Sequence, residues 1–218
     1  MILISSMGGC GSTSFISWFS SRIKCNCALN SEGIKKAGPG SNPKGFKHRI
    51  TPPESDDKYL LKENSFNRDD LNYGNINRAM FIYDDPINIV PSLFNRKIAT
   101  GHAIAVSGKR PTHNNSIEKF LDLKIDSFEL NQQWNNWSDI NNKREYKRLL
   151  IRFSSFWENL DLIFKFLEID EEHINRFPPK RERKSSFNKL SNEYQTNIAN
   201  IYSELSDKIK KHPDFIII

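Results

Sequence analysis

The sequence predicts an α/β fold: a three-layer α/β/α domain built around a central parallel sheet. Short apolar segments, which suit buried strands, alternate with longer segments whose apolar residues recur with the period of a helix. The connections between these apolar segments are long, as they must be where parallel strands are joined by crossovers rather than by hairpins. In open sheets of this kind ligands bind beyond the carboxyl ends of the strands, so we expect the functional residues there.

Composition and charge narrow the class of protein. The 218 residues are 37% hydrophobic, which is enough for one domain spanning residues 1–218. Cys10, Cys25 and Cys27 are an odd, sparse set that favours a reducing, cytoplasmic location over a disulfide framework. We expect no membrane span, no bound metal and no nucleic-acid-binding arm. The net charge of +6 favours anionic ligands. The sequence does not indicate an oligomeric state.

The amino terminus carries the strongest functional signal. Met1–Ser6 is predicted to be a strand, Met7–Gly11 a glycine-rich turn, and Ser12–Arg22 a helix that begins on hydroxyl-bearing residues. Glycines let the backbone approach an anion closely, and the first amides of a helix point toward it. This arrangement favours a phosphate-binding turn over the alternative, a plain strand-to-helix turn whose glycines serve packing. A signal peptide is not expected, because a basic leading region is missing and glycines interrupt the apolar run.

Two common phosphate-binding patterns do not fit this turn. A Walker A loop needs a lysine directly after its last glycine, and Ser12 follows Gly11. The dinucleotide-binding fingerprint needs a third glycine where this chain has Ser14. The turn therefore belongs to neither pattern.

The middle of the chain is predicted to supply two more strands and a capped helix. Gly45–Ile50 is a candidate short strand, and Ala79–Tyr83 is a continuous apolar run typical of a buried parallel strand. Asp85 and Pro86 suit the N-cap and first position of the next helix, in which Pro91 is expected to cause a kink. Residues 99–115 are predicted to be a loop, which contains His102 and His113 with no chemical role assigned to either.

The last hundred residues alternate between helical and strand patterns. The spacing of Asn115 to Glu118 predicts a capping box that begins a helix. A further helix carries Leu130, Trp134 and Trp137 on one face, and both tryptophans are predicted to lie in the core. The remaining elements are a strand over Lys147–Phe153, a helix capped by Ser155–Glu158 and a final helix with an apolar stripe from Tyr194 to Ile209 that ends at His212–Pro213.

Several of these segments, in this order along the chain, resemble motifs of the sulfotransferases that use 3′-phosphoadenosine 5′-phosphosulfate (PAPS). The similarity covers nearly the whole chain, although residues 24–76 align poorly. The resemblance implies a P-loop-like nucleotide-binding fold, with the turn holding the 5′-phosphosulfate. The matching segments are Met7–Ser14, Phe81–Arg96, Leu149–Phe153, Phe166–Asp170 and Arg183–Ser186.

The resemblance also implies a set of site residues. His48, in a segment similar to one that supplies the base in cytosolic members, is the expected catalytic base, with Glu54 as the alternative. The residues expected to bind PAPS are Gly8, Gly9, Cys10, Gly11, Ser12, Thr13 and Ser14 at the 5′ end, and Ser92, Arg96, Arg183 and Lys184 at the 3′-phosphate.

Two positions depart from the family pattern. Gly9 stands where the family carries a lysine or arginine, and Asp84 stands where it carries the arginine of the 3′-phosphate site. Arg96, one helical turn beyond Ser92, is an expected substitute for this arginine, and Arg183 and Lys184 are the alternatives.

The sequence thus predicts a PAPS-dependent sulfotransferase that moves a sulfuryl group to a hydroxyl of a glycan or small molecule and leaves adenosine 3′,5′-bisphosphate. Two alternatives stay open: a nucleotide-binding P-loop protein of another kind, such as a kinase, and a non-catalytic relative that only binds an anion.

Overall fold

A computed structural model describes residues 2–23, 50–52, 76–107, 109–180 and 187–218. Within these ranges the chain forms four strands and seven α-helices. The strands are β1 (Ile2–Ser6), β2 (Arg78–Tyr83), β3 (Lys147–Arg152) and β4 (Phe215–Ile217). The helices are α1 (Ser12–Ser20), α2 (Pro86–Asn95), α3 (Ala99–Ser107), α4 (Ile117–Leu123), α5 (Leu130–Ser138), α6 (Leu160–Leu167) and α7 (Asn192–Lys211).

The strands form one open, mostly parallel sheet in the order β1-β2-β3-β4. The pairs β1–β2 and β2–β3 are parallel, and Ser5, Phe81 and Leu150 lie side by side across them. The prediction of an α/β fold is confirmed, and the predicted parallel pairing holds for β1, β2 and β3. Because β1 and β2 run in the same direction, their carboxyl ends lie at the same edge of the sheet, where the turn after β1 begins.

Helices cover both faces of the sheet. On one face the ring of Phe81 stacks on Trp137 of α5, with the ring centroids 4.6 Å apart. On the other face Arg78 forms an ion pair with Glu168, the residue that ends α6. Helix α1 belongs to this second layer, since Phe19 packs on Phe164 of α6 at a centroid distance of 6.0 Å.

The signals read from the sequence place most helix starts correctly. Asp85 caps α2 by accepting a hydrogen bond from the amide of Ile87 at 3.1 Å, with Pro86 at the first helical position as predicted. The helix continues through Pro91. The predicted capping box is shifted by one residue, because Ser116, not Asn115, is the N-cap of α4. Trp134 and Trp137 are both buried, which confirms their assignment to the core.

Three predictions about secondary structure are wrong. Residues 99–107 form helix α3 instead of a loop. The sheet is not wholly parallel, because β4 pairs antiparallel with β3 through reciprocal hydrogen bonds of 2.7 and 2.9 Å between the backbones of Arg148 and Ile218. Ser155–Glu158 does not cap α6 directly, since two 3₁₀ turns over residues 153–159 precede it. The predicted strand Gly45–Ile50 lies outside the described residues except for Ile50.

None of the helices in the described ranges is both long and apolar enough to cross a bilayer.

Candidate functional site

The turn between β1 and α1 has the backbone conformation that its glycines permit. Gly8, Gly9 and Gly11 all have positive φ, at 91°, 63° and 64°. Residues with a Cβ rarely adopt these angles, because the Cβ collides with neighbouring backbone atoms. The amide of Met7 still donates to the carbonyl of Ile82 at 3.1 Å, so the turn starts anchored to the edge of the sheet.

Hydrogen bonds to side chains hold the two ends of the turn together. The hydroxyl of Ser6, the last residue of β1, accepts from the amide of Gly8 at 3.3 Å and donates to the hydroxyl of Ser12, the first residue of α1, at 2.9 Å. The buried thiol of Cys10 donates to the carbonyl of Gly8 at 2.9 Å. These contacts fix the turn before any ligand arrives, which lowers the cost of ordering it on binding.

Three amides of this segment remain available to a ligand. Among the described residues, the backbone N–H groups of Gly9, Gly11 and Ser12 donate no hydrogen bond. The N-cap residue Gly11 has no side chain to cap α1. Amides at a helix N-terminus and in a left-handed turn form a concave donor surface suited to an oxyanion.

A cavity of about 170 Å³ opens over these amides. Its lower wall is the turn and the first turn of α1, and its upper wall comes from the end of α2, the connection to α3 and α3 itself. Arg96, at the end of α2, and His102, in α3, are the lining residues that can carry positive charge. The described residues that line the cavity are Gly9, Gly11, Ser12, Thr13, Ser14, Leu93, Arg96, Ile98 and His102.

The packing of α2 explains why position 9 lacks a cation. A Cβ placed on Gly9 would lie 3.3 Å from the carbonyl oxygen of Ile89 and 3.4 Å from the Cβ of Ser92, both in α2. Since φ at this position is also positive, a lysine or arginine would be strained and would push on the backbone of α2. The positive charge near the turn comes instead from Arg96.

Asp84 does not line the cavity. Its carboxylate is buried at the start of α2, where it accepts hydrogen bonds from the amide of Asp85 at 2.8 Å and from the side-chain amide of Asn88 at 3.1 Å. The carboxylate of Asp84 therefore stabilises the connection between β2 and the first turn of α2.

The structure brings together about half of the predicted site residues. Six of them line the cavity, while Gly8, Cys10 and Ser92 are buried and are not among its lining residues. His48, Glu54, Arg183 and Lys184 lie outside the described residues. His102 was missed, because the sequence assigned its segment to a loop. Its place beside the turn depends on a tertiary contact with Gly8, which the sequence does not reveal. The six that line the cavity are Gly9, Gly11, Ser12, Thr13, Ser14 and Arg96.

His113, the other histidine of this region, lies away from the cavity in an aromatic cluster. Its ring is buried 5.4 to 5.9 Å, centroid to centroid, from the rings of Phe94, Phe120 and Phe128. Neither ring nitrogen has a hydrogen-bond partner within the described part of the chain. Burial lowers the pKa of this imidazole below its ordinary value of 6.5.

Replacing His113 with Phe is expected to stabilise the protein by about 1 kcal/mol at pH 7.5, because it removes buried polar atoms that lack partners. The unfolded chain takes up a proton near pH 6.5 while the folded protein resists it. The free energy of unfolding of the wild type should therefore fall as pH drops through 6.5, by at most about 1.4 kcal/mol per pH unit. Urea unfolding at pH 7.5 and 5.5 should show a smaller fall for His113→Phe; an equal fall would contradict this account.

Comparisons of the chain with models of known protein families, with curated proteins and with solved structures found no match. Among the described residues, no group of three or more histidine, cysteine, aspartate or glutamate side chains is arranged to hold a metal ion.

Proposed function

We propose that the cavity at the β1–α1 turn binds the phosphosulfate end of PAPS, and that the protein is a sulfotransferase acting on a hydroxyl of a glycan or small molecule. The observation that carries the proposal is the convergence, on one cavity, of three unpaired backbone amides with the guanidinium of Arg96. Such a surface is suited to binding an oxyanion. The resemblance of the sequence to sulfotransferases indicates that this oxyanion is the phosphosulfate of PAPS. The P-loop-like character of the fold is part of the same proposal.

The dimensions and chemistry of the cavity suit this anion. Its volume of about 170 Å³ lies below the ~300–1,000 Å³ of sites that enclose a whole small molecule. It therefore suits the charged end of a nucleotide better than the nucleotide as a whole. The backbone amides of Gly9, Gly11 and Ser12 would hold this end, together with the hydroxyls of Thr13 and Ser14, which lie at the exposed rim.

PAPS, when bound, supplies the sulfuryl group that an acceptor hydroxyl takes up. The part played by the chain is to orient the anion and to stabilise negative charge. Amides held in place by the contacts of Ser6 and Cys10 need no reorganisation when charge increases on the phosphate oxygens, which is the condition for effective electrostatic stabilisation. Arg96 adds a charge-assisted donor from the side of α2.

The assignment of His48 as the base that accepts the proton of the hydroxyl remains an expectation from the sequence. A base in this role must reach the acceptor hydroxyl within hydrogen-bond distance. Sulfate transfer from labelled PAPS to a panel of hydroxyl acceptors, measured for the wild type and for His48→Gln, tests this assignment separately from binding.

The binding proposal is tested by the melting temperature in the presence of adenosine 3′,5′-bisphosphate. At 100 times its Kd the ligand should stabilise the protein by about 2.7 kcal/mol, or roughly 5–10 °C for a chain of this length. ATP with Mg²⁺ should produce a smaller shift. A larger shift with ATP and Mg²⁺ would favour a P-loop protein of the kinase type. No shift with either ligand would contradict the proposal, and stabilisation without sulfate transfer would indicate a non-catalytic relative.

Arg96→Gln should weaken binding of the bisphosphate about tenfold, the effect expected from losing one charge-assisted hydrogen bond of about 1.4 kcal/mol. The matched control is Lys97→Gln, which removes the same charge from the next residue. Lys97 is exposed and is not among the residues that line the cavity. Calorimetric titration should find a near-normal Kd for the control; equal losses in the two variants would mean that only net charge matters.

A further inference from the structure

We propose that His113 is an acid-sensitive switch for the cavity: when its imidazole takes up a proton, residues 113–116 detach from α2 and α3, and the anion site loses affinity. The part of this inference that concerns the anion rests on the proposed function. The part that concerns the wall of the cavity does not depend on any ligand. A histidine outside the cavity thereby acquires a regulatory role.

The first step of the argument is the environment of the imidazole. The side chain of His113 is fully buried, and neither of its ring nitrogens has a hydrogen-bond partner within the described residues. It lies among the rings of Phe94 in α2, Phe120 in α4 and Phe128 between α4 and α5. An ionised group in such an apolar site loses far more hydration than a neutral one. A protonated imidazole therefore has to reach water, which requires it to leave the cluster.

The second step concerns the charges around the imidazole. No described charged group shifts the pKa of His113, which is lowered by burial alone. On the elements packed around the ring, Arg96 and His102 line the cavity, and Asp126 and Glu129 act on the buried phenol of Tyr202. The other charged side chains nearby in the chain are exposed: Arg110, Glu118, Lys119, Asp122 and Lys124. A proton on the buried imidazole would therefore have no anionic partner among them.

The third step connects the imidazole to the cavity. Its neighbour Phe94 belongs to α2, and the end of this helix forms part of the upper wall of the cavity. Two residues after His113, the side-chain oxygen of Asn115 accepts a hydrogen bond from the amide of Thr100 at 2.8 Å. Thr100 is in the first turn of α3, which forms the other part of that wall. Residues 113–116 thus contact both elements of the upper wall.

The fourth step concerns how a movement of the ring reaches Asn115. The carbonyl of His113 accepts a hydrogen bond from the amide of Ser116 at 2.7 Å, which closes a tight turn. Within this turn Asn114 and Asn115 both have positive φ, at 44° and 61°. These angles cost energy in residues with a Cβ, so tertiary contacts have to keep the turn in place. When the imidazole leaves its cluster, the turn relaxes and the hydrogen bond between Asn115 and Thr100 is lost.

The direction of the pH dependence follows from burial, which holds the pKa of His113 below its ordinary value of 6.5 while the ring is in the cluster. A detached ring is exposed to water and titrates near its ordinary value. As the pH falls through 6.5, the detached form therefore gains on the packed form, by up to about tenfold per pH unit. Because only the packed form keeps the wall in place, the apparent affinity for the anion should fall as well.

The first test compares the Kd of adenosine 3′,5′-bisphosphate at pH 7.5 and pH 5.5, by calorimetric titration, for the wild type, His113→Phe and the control His173→Phe. Protonation of the phosphates of the ligand near pH 6 weakens binding to all three proteins, so the difference between the proteins is the readout. On acidification the wild type and the control should lose at least about threefold more affinity than His113→Phe. His173 is the matched control, because it lies beside Glu172 after α6 and is not among the residues that line the cavity.

The second test needs no ligand. In ¹⁵N NMR spectra of the free wild type, the amide signal of Thr100 should move upfield between pH 7.5 and pH 5.5, because its hydrogen bond to Asn115 is lost. The same signal should stay in place in His113→Phe. His113→Leu provides a second apolar side chain if the first variant folds poorly.

The two tests separate this inference from the proposed function. A Thr100 amide that does not respond to pH in the wild type, or an equal loss of affinity in the wild type and His113→Phe, would overturn the inference and leave the anion site in place. A Thr100 amide that responds to pH in a protein that binds no bisphosphate at either pH would support the movement of the wall and overturn the proposed function.

Discussion

Replacement of Gly8 by Ala is expected to lower the free energy of unfolding by about 2–4 kcal/mol, because it combines backbone strain with overpacking. The φ of Gly8 is 91°, and the new Cβ would lie 2.4 Å from the Cε1 of His102. To relieve this contact the turn has to move away from α3, which displaces the amides that face the cavity. The variant should therefore also lose its stabilisation by adenosine 3′,5′-bisphosphate. Urea unfolding and the ligand-induced shift in melting temperature check the two effects.

Gly101→Ala is the matched control for this experiment. Gly101 precedes His102 in α3, but it is exposed, and a Cβ there would have no described atom within 4 Å apart from its chain neighbours and the backbone of its own helix. Because alanine is the better helix former, the control should be as stable as the wild type or up to about 1 kcal/mol more stable, with normal binding. If Gly8→Ala behaved like Gly101→Ala in both measurements, the turn would not have the conformation described above.

Trp137→Ala is expected to cost about 3–5 kcal/mol, the range for removing a large aromatic side chain from a packed core. Trp137 is fully buried in α5, and its ring stacks on Phe81 in the middle strand of the parallel part of the sheet. The variant removes the stacked contact between α5 and β2 and leaves the second aromatic contact between them, that of Trp134 with Tyr83. Denaturant unfolding measures the loss directly.

The control for Trp137→Ala is Ile140→Ala, since Ile140 is 67% exposed two residues beyond the end of α5. Its replacement should change the free energy of unfolding by no more than about 0.5 kcal/mol. A stable Trp137→Ala variant that had lost only sulfate transfer would contradict the core assignment and indicate that this tryptophan contacts the acceptor.

The parts of the fold that the sequence predicted correctly are those determined by residues adjacent in the chain. Ala79–Tyr83 is buried on both faces, so its apolar run is continuous, and Asp85 with Pro86 forms a helix start from adjacent residues alone. Helix α3 was missed because its buried side chains are small or polar and do not form one apolar stripe. Strand β4 was not predicted, because the sequence shows only a short apolar run after Pro213, and its antiparallel pairing depends on where α7 ends.

In the candidate site, too, the sequence predicted the features with a local cause and missed those that depend on tertiary contacts. Glycines at positions 8, 9 and 11 signalled the turn, because positive φ is a local requirement. The reason that position 9 has little room for a side chain is the backbone of α2, some 80 residues away along the chain. The position of His102 at the cavity likewise depends on a contact between α3 and the turn. Such contacts between distant segments cannot be predicted from the spacing of residues along the sequence.

The most direct test of the central claim is an NMR titration of ¹⁵N-glycine-labelled protein with adenosine 3′,5′-bisphosphate. The account predicts that the amide signals of Gly9 and Gly11 move downfield as these groups form hydrogen bonds to the anion, while that of Gly101 stays in place. Saturable binding that leaves Gly9 and Gly11 unmoved would show that the ligand binds elsewhere and would contradict the account.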